Sequence, residues 1–141
     1  MSYTIIETSQ APDAKPIGLT VALTDTFQTI IDVPSFEVPE LVFGGDTVIV
    51  PGVAEIISPM LVSNITTQSS FLTLRIYRFS SNTSFTIANN IPVPKNDIVS
   101  IPLNGQFIAT GDLLEAKADN NASLTVTISY TIGQAEQDDV A

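Results

Sequence analysis

An all-β fold, a single antiparallel β-sandwich of jelly-roll kind, is what this chain of 141 residues predicts. Three observations carry the prediction. Threonine, isoleucine and valine supply 45 of the 141 residues; branching at Cβ stiffens χ1 and suits a pleated surface. Short strand-like runs recur every eight to twelve residues or so, with Gly, Pro, Asn or Asp between them, as in sandwiches and barrels. No segment carries an apolar helical stripe with a cap. The length suits one domain with a core of its own, and the runs add up to roughly seven to nine strands.

Residues 1–16 open with a short apolar patch and continue as a polar stretch holding Pro12 and Pro16, which reads as an N-terminal arm. Residues 17–23 and 27–33 are strand-like, with Thr24-Asp25-Thr26 as the turn between them. Pro34, Pro39 and Gly44-Gly45 break the next stretch, so 34–46 reads as a loop with at most one short strand at 40–43. A strand at 47–50 closes on Pro51-Gly52, a turn pair. Residues 54–64 form a long strand, in which Pro59 marks a bulge or an edge because it cannot donate to a ladder. Residues 71–79 place Leu72, Leu74 and Ile76 on one face, opposite Phe71, Thr73, Arg75, Tyr77 and Phe79. Shorter strands follow at 85–88, 97–101, 107–109 and 113–118. Residues 124–130 alternate most cleanly, with Leu124, Val126, Ile128 and Tyr130 facing one way. The expected core is Ile56, Leu72, Leu74, Ile76, Leu114, Val126 and Ile128. The sandwich domain is expected to span 17–133, followed by an acidic C-terminal tail at 134–141.

Five Lys and Arg against fifteen Asp and Glu leave a net charge of −10. The cations Lys15, Arg75, Arg78, Lys95 and Lys117 are scattered. A phosphate backbone needs clustered cations, so no nucleic-acid partner is expected, nor an anionic membrane surface. No apolar run is long enough for a membrane-spanning helix, and the N-terminus lacks the cationic start and apolar core of a signal peptide. The Asn-X-Ser/Thr sequences at Asn64, Asn82 and Asn121 therefore read as polar turn residues. The chain has no Cys and no His. Catalytic thiols, Ser-His-Asp triads and histidine metal sites cannot be built within it, and the absence of cysteine fits assembly in a reducing compartment.

Acid–base chemistry could still use paired carboxylates. Asp112 and Glu115 share one turn region and Asp46 and Glu55 flank another, but neither pair has a neighbourhood that would shift a pKa, and solvated carboxylates are the expectation. Asp119-Asn120-Asn121 offers oxygen ligands of the kind Ca²⁺ takes but lacks the alternating spacing and bidentate Glu of a calcium loop, so a hairpin turn is expected. Tyr77, with Phe71 and Phe79 on its face, reads as core or an inter-subunit face rather than a sugar platform, and Tyr130 reads as core. No catalytic, cofactor-binding or metal-binding residue is assigned, and no cofactor is expected.

Residues 47–132 carry an ordered set of motifs: Val50-Pro51-Gly52, then Val62-Ser63-Asn64, then Pro92-Val93-Pro94, then Thr110-Gly111-Asp112-Leu113-Leu114-Glu115-Ala116, then Val126-Thr127-Ile128-Ser129-Tyr130. This order resembles a family of small tailed-phage virion proteins, common in marine and cyanobacterial phages, with the motifs VPAG, V-x-N, P-x-PAG, L-x-x-GD-x-(I/L)-x-A and V-(T/S)-x-S-(Y/G)-x-E. Lys95-Asn96 stands where those proteins have Ala-Gly, and Ile132-Gly133 stands where they close on Glu. The resemblance implies a non-enzymatic structural component of a bacteriophage virion assembled in the host cytoplasm, foremost a capsid decoration or cement protein. The alternatives are a tail, neck or baseplate adaptor, or a glycan-binding receptor module. The implied partners are the major capsid protein or tail proteins. The apolar, proline-cut segment 1–46 predicts a homo-oligomer, a trimer for a decoration protein, in which this segment either crosses to a neighbour or completes its own sandwich.

Overall fold

The computed structural model describes residues 3–5, 16–39, 47–120 and 123–137. Among them every helix or strand is a strand: β1 (Tyr3–Ile5), β2 (Ile17–Ala22), β3 (Gln28–Asp32), β4 (Phe36–Pro39), β5 (Thr47–Val50), β6 (Gly52–Ile56), β7 (Met60–Asn64), β8 (Ser70–Arg78), β9 (Thr83–Val93), β10 (Asp97–Ile101), β11 (Phe107–Ala109), β12 (Leu113–Ala118) and β13 (Thr125–Gln137). All pairings are antiparallel.

Several of these strands are halves of longer rows. β13 pairs along one edge with β2, and along the other with β7 and then β6. Between the pairs Tyr130↔Ile56 and Thr127↔Leu61, two residues of β13 face four of the β6–β7 run. Pro59 sits in that bulge. The Ile57 N–H donates to the Ser129 carbonyl at 3.0 Å, and the Ser58 hydroxyl accepts from the Ser129 N–H at 3.0 Å, so the backbone of Ser129 stays satisfied across the break. β10 and β11 likewise line the far edge of β7 and β6. One sheet is therefore four rows, β2, β13, β6–β7 and β10–β11, and the other is β3, β12, β8 and β9. Numbered as eight rows along the chain, the first sheet runs first, eighth, third, sixth and the second runs second, seventh, fourth, fifth. The hairpin β4–β5 stands in the connection between β3 and β6.

The two sheets enclose one core. All seven expected core residues belong to it, each no more than 4% exposed. Leu23, Ile31, Met60, Ile108 and Leu124 are as deep. Strict alternation would turn one of Ile30 and Ile31 outward. A register shift opposite Leu114 and Glu115 inserts the extra residue, and both isoleucines are buried.

Three expectations change. Residues 36–39 are a strand rather than a loop, because Thr47–Val50 gives them a partner; residues 40–43 lie outside the described residues. The strand expected at 85–88 is the eleven-residue β9. It continues because Asn90 takes a φ of 50° in a bulge opposite Thr73, and Pro92 lies on an edge strand, where part of the N–H row has no ladder partner. β13 does not stop at Gly133: it pairs with β6 to Gln134 and with β1 from Ala135 to Gln137, so the first residues of the expected tail and three of the expected arm form a ladder. Residues 17–33 complete the sandwich of their own chain, one strand to each sheet.

Candidate functional site

The row order gathers the connections at two ends. At one end stand the β8–β9 and β11–β12 turns. Gly111 has a φ of 94°, and a Cβ there would meet Phe79 at 2.9 Å, so both backbone and space require glycine. The following Asp112 is 7% exposed. Its carboxylate accepts from Arg78 Nη1 at 2.9 Å, the Phe79 N–H at 2.9 Å and the Ala109 N–H at 3.1 Å. Arg78 Nη1 also donates to the Phe107 carbonyl at 2.9 Å. Asp112 thus ties β8, β11 and β12 together.

Glu115 is engaged separately. It faces Arg75 across the β12–β8 ladder and pairs with its Nε at 2.8 Å. The Arg75 guanidinium lies 3.6 Å from the centre of the Phe27 ring, and Lys117 Nζ lies 4.9 Å from it. Asp112 and Glu115 therefore serve two different arginines and make no acid–base pair with each other. Of the second pair, Glu55 lies on β6 opposite Phe107 and Thr131, and Asp46 lies outside the described residues. Tyr77 is half-buried and donates to Asn82 Oδ1 at 2.6 Å, while Phe71 and Phe79 are exposed, so this row is not core. Tyr130 packs against the core as expected.

The opposite end gathers the β7–β8 loop, the β9–β10 turn and the turn after β12. Asn64, 1% exposed, organises the first two. Its Nδ2 donates to the carbonyls of Gln68 at 2.8 Å and Val93 at 3.0 Å. Its Oδ1 accepts from the Thr66 N–H at 2.9 Å and the Thr66 hydroxyl at 2.6 Å. An amide so placed is closed to glycosylation in the folded chain. Asn82 sits exposed in a turn at φ 50°, and Asn121 lies outside the described residues.

Ser70, Ser123 and Asp119 organise the other wall. The buried Ser70 and Ser123 hydroxyls are 2.7 Å apart, and Ser123 Oγ donates to the Asn120 carbonyl at 2.8 Å. Asp119 Oδ1 accepts from the Ser70 hydroxyl and, at 3.0 Å, from the Phe71 N–H. Burial pushes the Asp119 carboxyl up, but the Ser70 hydroxyl and the N–H groups of Phe71, Asp119 and Asn120 outweigh it and hold the group below its ordinary value of 3.8. Among the described residues no three Asp, Glu, His or Cys come together.

Between these walls lies an open cleft of about 240 Å³, lined by Thr66, Thr67, Gln68, Ser69, Asn120 and Ser123. Every lining group is polar and none is charged. Sequence reasoning singled out Asn120 only as part of a turn and passed over 66–69; the unbroken polar run Thr66-Thr67-Gln68-Ser69-Ser70 between two strands was the available signal. No protein-family model, no curated protein and no solved structure matches this chain.

Proposed function

We propose that this chain is a non-enzymatic structural component of a bacteriophage virion, a decoration or cement subunit seated on the major capsid protein and acting as a homotrimer. The observation that carries the reading is where the motif residues of the phage-protein resemblance sit. Gly52 lies where a Cβ would come within 2.6 Å of the Phe36 ring and the Pro34 carbonyl. Asn64 locks the β7–β8 loop, and Gly111-Asp112 locks the opposite end. The motif thus marks residues that stiffen a frame rather than residues that converge on a reacting centre. We read the eight-row order as a jelly roll, an architecture that capsid proteins share with lectins; fold analogy alone decides neither role.

Quantitative mass spectrometry of purified particles tests the proposal. A copy number in fixed proportion to the major capsid protein is expected. A few copies per particle would move the chain to the neck, tail or baseplate, and absence from particles would overturn the reading.

A further inference from the structure

Three of the five buried polar or charged residues among those described, Asn64, Ser70 and Ser123, hold the two walls of the polar cleft. Burying polar groups is costly unless each is paired, and here the pairings hold loops in place: Asn64 ties Thr66 and Gln68 to the Val93 carbonyl at the end of β9, Ser70 bonds the Asp119 side chain, and Ser123 the Asn120 carbonyl. The walls are built, and what they present is unused. The exposed side chains of Thr67, Gln68, Ser69 and Asn120 line the cleft and make no hydrogen bond among the described residues. Two hydroxyls and two carboxamides both donate and accept.

We propose that this cleft is a binding site for a neutral sugar ring. The chemistry selects the ligand class. A phosphate or another anion would need a cation, and the lining has none; the neighbouring Asp119 and the net charge of −10 repel it further. An apolar ligand would need predominantly apolar walls, and every lining side chain here carries a hydroxyl or a carboxamide. A pyranose offers closely spaced hydroxyls that donate and accept in turn, which suits an alternation of hydroxyl and carboxamide groups. A volume of about 240 Å³ takes about one ring with its water. Because Asn64, Ser70 and Asp119 already hold the described lining residues in place, little ordering cost falls on those residues when a ligand binds. With no aromatic ring in the lining, affinity for one ring is weak, about 1 mM. The inference stands on the cleft alone and is independent of the virion reading.

The test is an NMR titration of the ¹⁵N-labelled full chain with the methyl glycosides of glucose, galactose and mannose, and with N-acetylglucosamine, glucuronate and calcium chloride. Saturable shifts confined to 66–69, 120 and 123 are expected with at least one neutral sugar, and weaker ones with glucuronate. The double variant Gln68→Ala, Asn120→Ala, with a dispersed spectrum and an unchanged melting temperature, is expected to bind about tenfold more weakly. The proposal is overturned by any of three results: no saturable shift with any neutral sugar, equal shifts in the double variant, or saturation by calcium alone.

Discussion

All four hydrogen-bonding positions of the Asn64 side chain are occupied, at a site 1% exposed. Asn64→Ala strands the Val93 carbonyl in the interior and releases the β7–β8 loop. The expected loss is about 3 kcal/mol, read from urea denaturation; a loss below about 0.5 kcal/mol would mean that water replaces the amide without cost. At Gly111 the φ of 94° and the 2.9 Å approach to Phe79 act together, so Gly111→Ala should cost about 2 kcal/mol by the same measurement. Asp119 makes a prediction in pH. Its folded pKa lies below the unfolded one, so the unfolded chain binds more protons in that range. The stability from Asp119 is therefore complete above the ordinary value of 3.8 and is lost as pH falls through the folded pKa. Melting temperatures of the wild type and Asp119→Asn should converge as the pH is lowered below that value; a constant gap would sink the assignment. Of these roles the sequence showed only Asn64 as a turn residue, since Thr66 and Gln68 lie two and four positions from it; the Ser70–Asp119 contact spans 49 positions and left no local signal.

At the scale of the element, legibility followed the alternation. β10, β11 and β12 have the bounds that the apolar pattern and flanking turn residues predict. Pro59 was readable as a bulge or an edge because its missing N–H is a local fact, and the structure makes it a bulge. What stayed hidden depends on the partner strand. β4 exists because β5 lies beside it, β9 continues through Asn90 because Thr73 faces a bulge, and β13 outlasts Gly133 because β6 and β1 still flank it. The face assignment of β13 has a direct test. Ile128→Ala should cost about 3 kcal/mol, since Ile128 is 1% exposed, whereas Thr127→Ala on the outer face should cost less than about 0.5 kcal/mol. Equal costs in denaturant titrations would show the strand to be turned the other way.

For the whole molecule, the eight rows account for both sheets without the first sixteen residues: β2 begins at Ile17, and β1 adds three pairs to the far end of β13. β1 pairs with Ala135–Gln137 alone, beyond the stretch of β13, Thr125–Gln134, that β2, β6 and β7 hold. A chain lacking residues 1–16 should therefore keep a strand-dominated far-ultraviolet spectrum and a cooperative melt. If, on the proposed decoration role, that segment serves docking, the truncated chain should fold, lose any trimer that the full chain forms in light scattering, and fail to bind purified particles. Normal decoration by the truncated chain would remove the segment from docking. A truncated chain that cannot fold would show that β1 closes the sheet rather than extends it, and the docking surface would then have to lie on the rows themselves.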